Sequence, residues 1–200
     1  DIPFLIPNYF KDIKYINYFL DLLDIKVKFI SHGLFYNINK IIYMPYLSNP
    51  GLSRKIIKKN YDKLIKKNNN KNELKIYLSR KYVTRRQLEN ENKLIRYLKK
   101  LNYSIIYPEK LDYAYQLSLF KRCKILISVH GGGLSNLIWM KPKSKIIELR
   151  IKKDQHNNCY YNLSSTCNLS YYYFLLNNFS YSTKNARLKI GESTVMLGPS

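Results

Sequence analysis

Three consecutive glycines follow one apolar run and precede another, in Ser128-Val129-His130-Gly131-Gly132-Gly133-Leu134-Ser135-Asn136. Glycine lets the backbone approach a ligand closely, and a helix starting just after it offers free N–H groups and a positive dipole end to a phosphate. The pattern is neither G-x-G-x-x-G nor a Walker loop, since no Lys-Ser/Thr follows the glycines. Taken alone, the same run is also compatible with a tight strand-to-helix turn that binds nothing. His130 closes the first apolar run, where a side chain can reach a ligand beyond a strand end. A second cluster reads Ser79-Arg80, then Arg85-Arg86, then Asn90-Glu91. The planar guanidinium fork of arginine suits bidentate contact with phosphate oxygens. The chain holds 27 Lys and 8 Arg, so three Arg within positions 80–86 set this loop apart from an ordinary solvated basic loop. Glu148 ends the run Ile146-Ile147-Glu148 and could accept hydrogen bonds from ribose hydroxyls, as acidic residues do in other nucleotide folds.

Such groups converge only if the chain brings their segments to one edge of a sheet. Hydrophobic periodicity predicts strands at Pro3–Pro7, Ile25–Ser31, Lys40–Met44, Glu73–Leu78, Tyr103–Tyr107, Lys124–Val129 and Lys145–Leu149. It predicts helices at Lys11–Leu23, from an Ser53 N-cap to Lys67, and at Glu89–Leu101. Further helices are expected from an Asp112 cap to Arg122, at Leu134–Met140 and at Tyr160–Cys167. Pro45–Gly51 and Pro142–Lys145 read as turns, and Asn68–Asn72 with its flanking lysines as a polar linker. Strands alternating with helices imply right-handed βαβ units and a mainly parallel sheet covered by helices. Ile125–Val129 is apolar but for Ser128, as a strand buried on both faces would be. The expected fold is therefore α/β, with residues 1–70 and 71–200 as its two regions and a Rossmann-like layer in the second. Parallel strands place their carboxyl ends on one edge, so Arg80, His130 and Glu148 should meet there with the glycine turn.

Composition narrows the function classes. Across 200 residues, 46% hydrophobic and 24% charged content is globular, and no apolar run is long enough to span a bilayer. No basic n-region and apolar h-region open the chain, so it reads as cytoplasmic, with a peripheral membrane association left open. The net charge of +22 invites a nucleic-acid reading, with Lys-rich helices such as Ser53–Lys67 binding phosphates and tyrosines stacking bases. Yet Lys, Asn, Ile and Tyr, all with adenine- and thymine-rich codons, make up nearly half the chain. Codon bias loads a surface with lysine whatever the function, which argues against nucleic acid as the partner. Cys123, Cys159 and Cys167 form no CxxC pair and, being odd in number, no complete disulfide framework. Cys123 reads as a small buried hydrophobe. His32, His130 and His156 are too scattered for a zinc site, so no metal is expected.

Taken in order, Ser79-Arg80-(x)4-Arg85-Arg86-x-Leu88-x-Asn90-Glu91, Pro108-Glu109, Gln116, Leu119-Phe120, Ile125-Leu126-Ile127, His130 to Asn136 and Ile146-Ile147-Glu148-Leu149 resemble the catalytic domain of the family 61 glycosyltransferases. Tyr160–Tyr173 is similar to that family's helix-then-strand continuation, and Pro3–Lys67 matches more loosely. The resemblance implies a B-type two-domain glycosyltransferase whose C-terminal Rossmann-like half binds the donor, with part of the N-terminal, acceptor-side domain before it. It implies an inverting transfer from a nucleoside diphosphate sugar to a glycan or glycosylated acceptor, with the nucleotide sugar as co-substrate and no other cofactor. The donor-binding positions it implies are Arg80, Arg85, Arg86, Asn90, Gln116, His130, Gly131, Gly132, Gly133, Asn136 and Glu148. Fixed arginine charges and helix N–H groups would then stabilise the diphosphate leaving group without a metal. The family's upstream His-containing motif has no match here. An inverting transfer needs a base for the acceptor hydroxyl, and the nearby candidates His32, Asp21 and Asp24 each also read as turn or helix-end residues. The base is unassigned, and a donor-binding remnant without transfer is the alternative.

Overall fold

In the computed structural model, residues 2–42, 58–59, 72–84, 86–151, 158–178, 187–189 and 195–197 are described. The chain forms two compact units, residues 1–46 and 47–200. In the first, β1 (Phe4–Pro7) and β2 (Val27–Ile30) pair in parallel, Phe4 opposite Val27, with α1 (Lys14–Leu22) between them in sequence. The expected strand at Lys40–Met44 is not formed over Lys40–Ile42, and its last two residues lie outside the described ones. Those β-branched residues instead help line an open apolar groove with Phe4, Leu5 and Ile38. Asp21, Asp24 and His32 are all exposed, and Asp24 turns the chain after α1 with a φ of 49°. The basic helix expected over Ser53–Lys67 lies outside the described residues except for the helical pair Lys58–Lys59.

The second unit holds the sheet. Its five parallel strands are β3 (Leu74–Leu78), β5 (Ser104–Ile106), β6 (Cys123–Val129), β7 (Lys145–Ile151) and β8 (Ser170–Asn178). They lie side by side as β5-β3-β6-β7-β8. Numbered along the chain, that is 2-1-3-4-5, a doubly wound order whose direction reverses between β3 and β6. The four strands expected from apolar runs all join this parallel sheet. Three short strands were not anticipated. These are β4 (Gln87–Leu88), β9 (Arg187–Lys189) and β10 (Val195–Leu197). Both β9 and β10 pair antiparallel to β8, and β4 pairs parallel to β9.

Helices cover both faces. On one, α2 (Glu91–Lys100) buries Ile95 and Leu98 in a cluster with Tyr77, Ile127, Val129, Leu149 and Leu176. On the other lie α3 (Tyr113–Phe120) and α4 (Cys159–Thr166), both packed against the segment that follows the glycines. Asp112 caps α3 as expected, its carboxylate accepting from the Tyr115 N–H at 2.8 Å. The helix expected at Leu134–Met140 forms as a 3-10 helix of eight residues, Gly132–Trp139. Besides buried Ile138 and Trp139, its fully buried apolar residues Leu134 and Leu137 stand three apart, and fully buried Met140 follows at the same spacing just past its end. A spacing of three fits three residues per turn, whereas an α-helix would swing the third away from the core. Cys123 is buried, as its sequence context suggested, and Cys123, Cys159 and Cys167 are all free thiols. No helix among the described residues is long and apolar enough to cross a membrane.

Candidate functional site

Strand order reverses between β3 and β6, and in such sheets ligands bind beyond the carboxyl ends of the strands at that point. Arg80 leaves β3 there and His130 leaves β6. The His130 N–H donates to the Leu149 carbonyl at 3.0 Å, extending the β6–β7 ladder by one residue. Gly131 then lets the two meet. A Cβ built on Gly131 would collide with the Arg80 guanidinium, whose Cζ would lie 3.1 Å away, while at Gly132 the same test meets open space. The Gly131 backbone is extended, so its glycine is needed for the close approach rather than for an unusual φ. A built Cβ on Gly133 would stand 3.3 Å from Leu78 Cδ1 at the end of β3.

Arg86 reaches the same place by a strained route. Its φ of 58° is left-handed, a conformation that costs a non-glycine residue about 1–2 kcal/mol. In return its Nη1 donates, at a long 3.4 Å, to the carbonyl of His130. Burial lowers the Arg80 pKa, the Arg86 charge lowers it further, and Glu109 acts in the opposite direction. Two guanidinium groups therefore share a half-buried crevice, each raising the cost of the other's charge.

A buried carboxylate fixes the Arg80 backbone. Glu91, in the first turn of α2, accepts from the Tyr77 hydroxyl at 2.8 Å and from the Arg80 N–H at 3.1 Å, both on Oε1. Burial and the Glu91 charge together raise the Tyr77 pKa, so the phenol stays a donor.

Glu148 is the second buried carboxylate. It sits in the middle of β7, opposite Ser128 and Tyr173, not at its end. It is 1% exposed, and its two oxygens are both engaged. Oε1 meets His130 Nδ1 at 2.5 Å, and Oε2 accepts from the Tyr171 hydroxyl. A ribose-facing Glu148 is thus not what the strand provides, because His130 lies over it. The His130 ring also meets Tyr160 edge-on, centroids 5.1 Å apart. Burial raises the Tyr160 pKa, keeping that phenol protonated.

Arg80, Arg86, His130, Gly131 and Glu148 therefore form one connected cluster, and Gly132 and Gly133 continue from it. Gln116 is placed differently. Its buried amide donates to the Pro108 and Leu111 carbonyls at 2.9 and 3.1 Å, tying down the turn that carries Glu109. Asn136 donates to the Gly133 carbonyl at 3.2 Å, within its own turn. Asn90 occupies the N-cap of α2 without a side-chain cap bond. Arg85 and His156 lie outside the described residues. No group of three His, Cys, Asp or Glu side chains suited to a metal occurs among the described residues. Tyr160 and Tyr171 join the cluster although sequence reasoning passed over them, and Glu91 stood inside the quoted motif with no role attached. The helix-then-strand reading of 160–173 held their signal, but the register sets Tyr173 opposite Glu148, and only the hydrogen bond shows that Tyr171 reaches it.

Comparison with curated proteins finds no match. A family model does match: Glycosyltransferase 61, over residues 4–147. That span covers well over half of the chain and includes β1, the arginine loop, the glycine turn and β7 as far as Ile147. The chain belongs to glycosyltransferase family 61.

Proposed function

We propose that the second unit binds a nucleoside diphosphate sugar in the crevice between β3 and β6, and that the protein transfers the sugar, with inversion, to a glycan or glycosylated acceptor. The observation that carries this reading is the pairing of two arginine charges, Arg80 and Arg86, against a glycine turn at the point where strand order reverses. Two guanidinium charges held together in a half-buried place attract an anion, and a diphosphate supplies two to three negative charges. Arg80 and Arg86 would face the diphosphate, with the amides of Gly132 and Gly133 toward its oxygens. As the bond to the sugar breaks, charge develops on that diphosphate, and fixed guanidinium groups stabilise it without reorganising. In this reading no further cofactor is needed, and the first unit contributes to the acceptor side of a B-type architecture.

The test is a thermal-shift panel of nucleoside diphosphates and their sugar conjugates at low and high salt. A ligand at 100 times its dissociation constant stabilises a fold by about 2.7 kcal/mol. The reading expects such a shift for at least one diphosphate and its loss in Arg80→Lys. No shift for any nucleotide, together with duplex or single-stranded nucleic-acid binding that weakens steeply with salt, would replace it with the basic-protein alternative. Donor binding without transfer to any glycan acceptor would leave a donor-binding remnant.

A further inference from the structure

Glu148 is gripped from two sides, and the far side lies beyond the part of the chain that the family model matches. Tyr171 stands on β8, diagonally across from Glu148: Tyr173 is its direct partner, and Tyr171 pairs with Ile146 two residues earlier. Paired strand residues share a face, so Glu148, Arg150, Tyr171 and Tyr173 all project to the side of the sheet that carries α4. The Tyr171 hydroxyl donates to Glu148 Oε2, and the Arg150 guanidinium is close enough to act against the rise in its pKa. Arg150 in turn donates from Nη1 to Asn158 Oδ1 at 3.0 Å.

The direction of each bond follows from chemistry. A guanidinium has donors and no acceptor, so toward the Tyr171 oxygen Arg150 can act only as a donor. The hydroxyl hydrogen of Tyr171 is then committed to Glu148. An ionised carboxylate has acceptors and no donor, so His130 must give its Nδ1–H to Oε1. That leaves Nε2 as the ring nitrogen not engaged by Glu148.

We propose that Tyr171 is a positioning residue: held as a donor by Arg150, it clamps the Glu148 carboxylate from behind and so fixes His130 as the Nδ1–H tautomer beside the two arginines. The functional relevance rests on reading His130 as part of the donor site, but the hydrogen-bond order does not. Tyr171 touches no substrate in this scheme. It acts through Glu148 alone.

The chain has three histidines, so imidazole nitrogen spectra of the full 15N-labelled protein are tractable, with His130 assigned by loss of its signals in His130→Gln. In the wild type the proton should reside on Nδ1. In Glu148→Gln the Tyr171 hydroxyl still needs an acceptor, so the Gln carbonyl turns toward it and the Gln NH2 faces the ring. His130 must then become an acceptor at Nδ1, and its proton moves to Nε2. In Glu148→Gln/Tyr171→Phe the amide is free to turn back, and the Nδ1–H form returns. A purely packing role for Tyr171 would leave the single and double variants alike, which overturns the proposal. If Glu148→Gln does not fold, the wild type and Tyr171→Phe decide. The Nδ1–H signal should move downfield once Oε1 carries more of the charge, and an Nε2–H wild type or an unmoved signal overturns it. These readouts need no nucleotide. Failure of every diphosphate to bind would remove the donor-site reading and leave the tautomer result standing.

Discussion

Gly131→Ala separates the binding role of Arg80 from its structural surroundings. The new Cβ occupies the place of the guanidinium, whose Cζ would be 3.1 Å away, so Arg80 must swing out toward solvent. Two consequences oppose each other. The displaced guanidinium regains water, relieving the burial and the Arg86 repulsion that lower its pKa. The extended backbone at 131 accepts an alanine, and replacing glycine at a compatible position adds about 0.4–1 kcal/mol by restricting the unfolded chain. The ligand-free protein should therefore melt at the same temperature or about 1–4 °C higher. Diphosphate binding should fall, because losing one hydrogen bond to a charged group costs about 1.5–3 kcal/mol, or about 10- to 150-fold in affinity. At a nucleotide concentration that gives the wild type about 2.7 kcal/mol of stabilisation, the variant should gain only about 0.3–1.4 kcal/mol. Calorimetric titration and thermal shift on the same sample read both effects. Unchanged nucleotide affinity in a folded variant would refute the assignment of Arg80 to the anion. A melting temperature several degrees below the wild type would refute the account of Gly131 as a clearance residue.

Arg80→Lys should keep the charge but lose the planar fork, weakening diphosphate binding by about 10- to 150-fold in titration calorimetry while moving the melting point by less than about 2 °C. Glu91→Ala should strand the Tyr77 hydroxyl and the Arg80 N–H, costing about 2–5 kcal/mol in urea unfolding, whereas Glu91→Gln, whose amide oxygen still accepts both, should cost about 1 kcal/mol. Burial pushes the Cys123 thiol up to about 12, above its unfolded value of about 8.5, so its contribution is intact below that value. Denaturation measured at successive pH values should show stability falling as pH rises from about 8.5 toward 12, with the raised Tyr77 and Tyr171 steepening the loss at the alkaline end.

Apolar runs made the central strands legible, because a parallel strand buried on both faces leaves a nearly unbroken signature such as Ile125–Val129. The same signature is weak at sheet edges. Gln87–Leu88 becomes β4 only because Arg187–Lys189 lies beside it, a pairing about a hundred residues away in sequence that no local pattern records. Lys40–Ile42 has strand-forming residues but pairs with no strand among the described residues, so propensity there goes unrealised. In the site, the arginines and glycines were readable because their chemistry is unusual for a lysine-rich chain. Gln116 was not: its motif position is the same whether it touches a ligand or holds a turn, and its two carbonyl partners decide for the turn. Glu148 was placed at a strand end because the apolar run Ile146-Ile147 seemed to finish there. β7 continues through Arg150 to Ile151, and the additional length puts the carboxylate under His130 rather than in the open.

The 3-10 screw after the glycines also sets a reading frame. Residues three apart eclipse one another, so the segment divides into three columns with separate duties. Leu134 and Leu137, followed by Met140 just past the helix, form the column sunk in the core, while Gly132 and Ser135 are exposed at the start of one that Ile138 carries back into the core. One residue inserted or deleted between Gly133 and Leu137 would rotate the columns past each other, sending a leucine outward and a polar residue into the core. A change of three residues would keep every column in phase. Length variation in this segment should therefore be tolerated in steps of three, although its composition along each column is free to drift.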